Sequence, residues 1–413
     1  MAADADTGMS MMTTGEGPVQ RPTRLLFVQT QAEMAGAQEI SRLLADGFAA
    51  RLRCGEAEYE VHHLFLYRKT HAFDRWKNVH FVVEGSPKGP FSFLRFLWRL
   101  ARTVRAIRPD VMLTFQHYGN IFGAPAGRLA GTPVIIANHV SAPATIGPLT
   151  RRIDRLLGLA GAYDVITVNS NQTWREYQDY PPRYSKLLAH VPHGFEDKSV
   201  EMPKAEARAA FGLPPDVPLL GSVARLHPLK QLDAAIRVLA LRPLLHLAIA
   251  GQGPDEERLR ALGREIGVAD RLHFAGDLPP SRVGVFLAGL DVFVFPTLAE
   301  TFGLAAVEAA QAGVPVVAND LPVLREVLES EGEECALFVD AANTGDFAAA
   351  IDRLLGDPVL AARKVALGRR LASRYSVRNM VETYASLIRR VRGAETAGEG
   401  ATSGLAPRQS SRP

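Results

Sequence analysis

The chain has 413 residues, room for two full domains, with 47% hydrophobic and 22% charged residues, as in an ordinary soluble globular protein. A formal net charge of +3 is too small to argue for nucleic acid as a partner. The two cysteines, Cys54 and Cys335, lie far apart, form no metal or redox motif, and suit a reducing cytoplasm.

Residues 1–22 carry acids where a secretory signal carries bases, and read as a disordered tail. No apolar run approaches the roughly 18 residues that a bilayer span needs. From residue 23, short apolar runs alternate with helical patterns. "RLLFVQT" leads into "GAQEISRLLADGFAARL", and "YEVHHLFLY" and "VHFVV" follow. The helix "GPFSFLRFLWRLARTVRAIRPD" comes next, with Phe93, Phe96, Leu97, Leu100, Val104 and Ile107 at helical spacing. Arg95, Arg99 and Arg102 form a second stripe, flanked by Arg105 and Arg108. One reading is an ordinary helix with a solvated cationic face. The other is contact of residues 91–108 with an anionic membrane surface, anchored by Phe91, Phe93 and Trp98.

The strands "DVMLTF", "PVIIAN" and "DVITVN" continue the series. His117 in "TFQHYGN" and His139 in "ANHVSAP" follow two of them, where α/β sheets bind ligands; surface or satisfied core is the plainer reading for the other histidines. A polar, Pro-containing join spans about residues 193–218, and the alternation restarts with "VPLLGSV", "LLHLAIAG", "RLHFAG", "DVFVFP", "VPVVAND" and "ALFVD". Buried strands separated by helices imply parallel βαβ units. The expected organisation is two doubly wound α/β domains, 23–200 and 201–375, facing a cleft. A terminal helix, 376–392, and a disordered tail, 393–413, follow.

In the second series, Arg225 and Lys230 sit either side of a turn between a strand ending near Val223 and a helix starting near Leu229. Cations there suit a phosphate, or form a solvated surface pair. Gly251 and Gly253 allow close backbone approach to a ligand, or simply a tight turn, which is the simpler reading. "ETFGLAAVE" places Glu300 before a helix expected to start near Phe302–Gly303, and Glu308 inside it. The amides of Phe302, Gly303 and Leu304 then lie at a helix N-terminus, which attracts anions. An inward Glu308 needs a partner, and vicinal ribose hydroxyls would satisfy it. Eight helical residues span about 12 Å, too far for the roughly 5–9.5 Å of a glycosidase pair. One carboxylate on a sugar and one on a ribose, with phosphate between, fits better. No metal-ligand cluster and no protein nucleophile is evident.

"ARLHPLK", "AGQGPDEERLR", "RLHFAGD" and "FPTLAETFGLAAVEAAQAGVPVVA" resemble, in that order, the second domain of family 4 glycosyltransferases of GT-B fold. "EMAGAQEISRLLA", "PVIIANHV", "DVITVNSNQTWREY" and "VPHGFE" are similar to successive segments of the family's first domain. Ala35-Gly36 stands where the family has Gly-Gly, and Pro192-His193-Gly194 where it has Pro-Asn-Gly. The resemblance implies a terminal helix that crosses back to the first domain, and retaining transfer from a nucleotide sugar with no obligatory metal. UDP is the donor nucleotide most frequent in the family. It places Arg225 and Lys230 on the diphosphate, Glu308 on the ribose, and Glu300 with the amides of Phe302–Leu304 on the donor sugar and phosphates. It puts His139 at the catalytic centre and Gly36 across the cleft. A glycan or lipid-linked acceptor is implied; the expected location is cytoplasmic, and on the membrane-facing reading of residues 91–108 it is peripheral on the inner face of the cell membrane. A sugar-nucleotide epimerase, a glycogen or sucrose synthase-like transferase, and a non-catalytic two-lobed nucleotide binder stay open.

Overall fold

The computed structural model describes residues 21–32, 36–53, 59–71, 73–141 and 145–397. Ala35, Cys54 and the two tails, save Arg21, Pro22 and residues 393–397, lie outside them.

The first sheet uses β1 (Thr23–Ala32), β2 (Tyr59–Arg68), β3 (Val79–Val83), β4 (Val111–Phe115), β5 (Val134–His139), β6 (Val165–Val168) and β7 (Leu188–His190). Its order is β3-β2-β1-β4-β5-β6-β7, all parallel. The helices of this half are α1 (Gly36–Arg53), α2 (Pro90–Ile107), α3 (Gln116–Ala130), α4 (Pro148–Leu159), α5 (Asn171–Gln178) and α6 (Pro182–Ser185). Every residue of β4 and β6 is buried, because helices cover both sheet faces; such strands need an unbroken apolar run rather than alternation.

After α7 (Lys204–Ala209), the second sheet uses β8 (Leu219–Val223), β9 (His246–Ala250), β10 (Leu272–Gly276), β11 (Val292–Phe295) and β12 (Val316–Asn319). A short hairpin, β13 (Glu329–Ser330) and β14 (Glu333–Glu334), precedes β15 (Ala336–Val339). The parallel order is β10-β9-β8-β11-β12-β15. Around it lie α8 (Leu232–Leu241), α9 (Glu256–Glu265), α10 (Pro280–Ala288), α11 (Leu304–Gln311), α12 (Pro322–Val327), α13 (Thr344–Gly356), α14 (Pro358–Arg369) and α15 (Leu371–Arg374). Two doubly wound sheets are thus present. Their order reverses at β1/β4 and at β8/β11, where ligand crevices form.

The last helix, α16 (Val377–Ala397), packs back on α1 and β5 of the first domain. It buries Met380, Val381, Leu387, Ile388 and Val391, each worth about 1.5–3 kcal/mol. It runs past the end expected at 392, since Gly393 alone does not stop a helix that Ala and Glu continue. The helix expected near Leu229 starts at Leu232 instead: Pro228–Lys230 forms a 3-10 turn, and Gln231 at φ 48° breaks the path into α8. Among the described residues no helix is long and apolar enough to cross a membrane.

The halves share one apolar cluster through Phe195, Phe302 and Tyr375. The strap after β7 lies against the start of α16: the Phe195 N–H donates to the Tyr375 carbonyl at 3.0 Å. Beside it, a Cβ on Gly194 would come 2.4 Å from the Ser376 carbonyl oxygen, so only glycine fits. Gly194→Ala is therefore expected to destabilise by about 1–3 kcal/mol, read as a lowered apparent melting temperature. An unchanged melting curve would show that the strap can move aside.

Candidate functional site

A cavity of about 530 Å³ lies between the two sheets at the carboxyl ends of β1, β4, β5, β8, β9 and β11. The second domain supplies most of the charge. β8 ends at Val223, and Arg225 stands exposed on the cavity wall with no ion-pair partner among the described residues. The next loop is zipped to this one: the Ala224 N–H donates to the Ala250 carbonyl and the Leu226 N–H to the Gln252 carbonyl, both at 3.0 Å. The approach is so close that a Cβ on Gly251 would meet the Ala224 oxygen at 1.9 Å, and one on Gly253 the Leu226 oxygen at 2.2 Å. The glycines serve this backbone packing. Gly251 also lines the cavity, but Gly253, expected at the ligand, does not.

Lys230, at the end of the 3-10 turn, reaches back to the Glu300 carboxylate as an ion pair, with its ammonium 5.6 Å from the centre of the Phe295 ring. The loop before α11 is braced: the Asn319 amide donates to the Thr297 carbonyl at 3.0 Å, and the Leu298 N–H to the Leu229 carbonyl at 2.9 Å. Gly303, at φ 84°, caps α11, which begins at Leu304. The N–H groups of Leu304 and Ala305, the first two of this helix, have no intrahelical partner, and Phe302, Gly303, Leu304 and Ala305 line the cavity.

One turn further, Glu308 is half-buried on the cavity wall, and its carboxylate has no hydrogen-bond partner among the described residues. Burial pushes its carboxyl up to about 7, and Glu39 and Glu196 add to this against the pull of Lys198. Among the described residues no side chain supplies the partner that its inward position requires.

The first domain contributes Gly36, Ala37 and Glu39 from α1, Gln116 from α3, and Val140 and Ser141 after β5. A Cβ on Gly36 would lie 3.2 Å from Leu304 Cδ1, so α1 begins directly opposite α11. Cross-domain bonds set the spacing. The Thr301 hydroxyl donates to the Val140 carbonyl at 3.3 Å, and the Asn171 and Gln172 N–H groups donate to Glu326 at 2.6 and 2.9 Å. Glu326 of α12 thereby caps α5 of the other domain.

His139, read from the sequence as the catalytic-centre histidine, is not among the residues lining this cavity. Its ring is 95% shielded: Nδ1 lies 2.7 Å from the Tyr177 hydroxyl, and Nε2 lies 3.4 Å from Tyr184 Oη and 3.5 Å from Asp154 Oδ1. Burial opposes ionisation of Asp154, but His139 and the Tyr184 and Tyr163 hydroxyls hold its carboxyl below the usual range. This cluster places the β5 end, and only the residues after it reach the cavity. His117 is half-buried next to Gln116, and burial and nearby His139 lower its pKa against the pull of Asp154.

His193 is the histidine that lines the cavity, its ring 5.3 Å from that of Phe302 and its Nε2 2.8 Å from the Asn169 amide nitrogen. Burial pushes it down to about 3, so it is neutral. Sequence reasoning left it without a role and missed Lys198, Glu39 and Gln116. The acid just after Gly36, and a lysine in the join four residues past Gly194, were the available signals.

The family model "Glycosyl transferases group 1" matches residues 203–370, and "Glycosyltransferase Family 4" matches 42–197. The D-inositol 3-phosphate glycosyltransferase of Acidothermus cellulolyticus is 33% identical over 300 residues, 66% of this chain and 65% of that one. The enzyme of the same name from Nocardia farcinica is 31% identical over 213 residues, 48% of this chain and 47% of that one. The chain thus spans between about half and two thirds of these relatives. In structure, Anabaena HepE in complex with UDP and glucose superposes with a TM-score of 0.76 at 17% identity, covering 89% of this chain and 99% of that one.

Proposed function

The chain belongs to glycosyltransferase family 4, and from that premise we propose that it moves a sugar from a nucleotide-sugar donor to an acceptor hydroxyl with retention of configuration. The observation that carries this reading is the convergence of Arg225, Lys230, the α11 N-terminus and the partnerless Glu308 on one cavity between the domains. The diphosphate lies against the two cations and the helix amides. The ribose hydroxyls donate to Glu308, and the sugar extends toward Glu300 and the first domain. The anomeric C–O bond to the diphosphate breaks while the acceptor oxygen bonds to the same carbon from the same face. The acceptor proton passes to the departing phosphate oxygen. The protein's part is to stabilise charge that grows on the diphosphate, and to exclude water.

UDP-glucose is the first donor to test, since HepE was solved with UDP and glucose, and D-inositol 3-phosphate is the first soluble acceptor, from the relatives' names. A glycan or lipid-linked acceptor is the wider expectation. A thermal-shift panel of nucleotide sugars, followed by turnover with the best binder, tests the reading. Stabilisation by a nucleotide sugar with product formed only when an acceptor is present supports it. Epimer formed from donor alone would replace it with an epimerase, and affinity without any turnover with a binding protein.

Glu308 gives a pH signature. Burial holds its carboxyl near 7, and two donating hydroxyls favour the ionised form, so nucleotide binding lowers that value. Above about pH 7 the group is already ionised and affinity is flat. Below it, a proton must leave on binding, and affinity falls by up to about tenfold per pH unit. Calorimetry across about pH 6–8 in buffers of different ionisation heat should show proton release. Affinity independent of pH would remove Glu308 from the ribose.

A further inference from the structure

We propose that the outward face of the α2–α3–α4 layer docks on an anionic lipid bilayer. The three helices lie side by side over one face of the first sheet, with α3 between the other two. From the sequence only α2 was a candidate; the fold places two more helices beside it. The inner side of α2 is spent on the core, burying Phe96, Leu100, Val104 and Ile107. Its outer side carries a second apolar row, Phe91, Leu94 and Trp98, with Phe91 86% exposed. The neighbouring helices continue this row with Leu129, 77% exposed, on α3 and with Leu149 and Leu156, 69% and 64% exposed, on α4.

Charge on this layer is one-sided. The three helices carry eight arginines and a single acid, Asp154, in a chain that balances 47 bases against 44 acids. Asp154 is buried against Tyr163 and Tyr184 and offers nothing outward. Of the eight, only Arg128 has an ion-pair partner among the described residues. Surface arginines of the second domain, such as Arg260, Arg325, Arg363 and Arg370, sit in ion pairs instead. A groove of about 510 Å³ between α2 and the end of α3 is lined by Trp98, Arg102, Arg105 and Leu129.

Unpaired arginines interleaved with exposed aromatic and aliphatic side chains match the two layers of a bilayer surface, phosphate outside and acyl chain beneath. Nucleic acid would use the cations but leave Leu94, Leu149 and Leu156 in water. The start of α3 also lines the cleft through Gln116, so docking sets the cleft mouth beside the membrane. The inference stands apart from the sugar-transfer reading, because its test needs no donor.

The test is flotation of the full chain with vesicles of phosphatidylglycerol and phosphatidylcholine, against phosphatidylcholine alone. Binding is expected only with the anionic vesicles, and should fall as salt shortens the Debye length. Each arginine near the surface is worth about fivefold in partition, so Arg95→Ser/Arg99→Ser/Arg102→Ser should weaken binding roughly a hundredfold. Leu94→Ser/Trp98→Ser/Leu149→Ser should weaken it as well. All six positions are on the outer face, and circular dichroism checks that both variants fold. No flotation at low salt overturns the proposal. So does binding that both variants leave intact. Retention by a soluble polyanion that competes fully with vesicles and ignores the apolar variant would reassign the face to an acidic macromolecule.

Discussion

Lys230→Ala is expected to lower kcat/KM by about 10²- to 10³-fold, the range for removing one positioned donor from a developing oxyanion. The reason lies in how Lys230 is held. It sits in a short 3-10 turn beneath a loop tied to Leu229, and its ammonium is fixed between Glu300 and the Phe295 ring. With donor bound, the diphosphate competes with Glu300 for that ammonium. Without the lysine, a largely shielded Glu300 carboxylate is left unpaired beside the place proposed for the phosphates, and repels them. The loss therefore exceeds that of a cation alone. Arg225→Ala removes an exposed cation and orphans no partner, so its effect should be smaller and fall mainly on KM. Steady-state kinetics with both variants, and melting curves to exclude unfolding, check this ordering. Turnover near that of the parent in Lys230→Ala would sink the phosphate assignment.

Replacing each glutamate by glutamine should separate nucleotide from sugar. Glu308→Gln keeps the shape and removes the charge that accepts the ribose hydroxyls. A hydrogen bond to a charged group is worth about 1.5–3 kcal/mol, so affinity should fall roughly tenfold to a hundredfold for nucleoside diphosphate and nucleotide sugar alike. The pH dependence near neutrality should vanish with it. Glu300→Gln should leave affinity for the bare nucleoside diphosphate near the parent's, because Lys230 is then freed for the phosphates, while turnover of the nucleotide sugar drops. Equal losses for both ligands in both variants would refute the division of labour.

Much of this site was legible because it is local. Arg225, Lys230 and the Glu300–Glu308 stretch each sit at a strand-to-helix junction, and a parallel βαβ unit delivers such junctions to one sheet edge. For "GQG" the simpler, structural reading agrees with the packing, but its cause is visible only as contact: Gly251 and Gly253 are forced by the carbonyls of Ala224 and Leu226, about 27 residues earlier in the chain. His139 shows the opposite case. At the end of β5 it stands at a ligand edge of the sheet, yet Asp154, Tyr177 and Tyr184 come from helices up to 45 residues away and take up its ring.

By itself the sequence determined the two alternating series, the join between them, the parallel buried strands and the inner stripe of α2, because apolar spacing states which face must leave water. It also determined the candidate phosphate cradle, since a helix N-terminus and its flanking cations are set within a dozen residues. Only the tertiary structure decided which polar groups are satisfied. Glu308 is raised toward neutrality by burial beside Glu39 and Glu196, His193 rather than His139 reaches the cavity, and Glu326 caps a helix 155 residues distant. Each depends on the distance between segments that nothing in local spacing constrains. The charge of a buried group follows from what surrounds it, and in this protein the surroundings come from both domains at once.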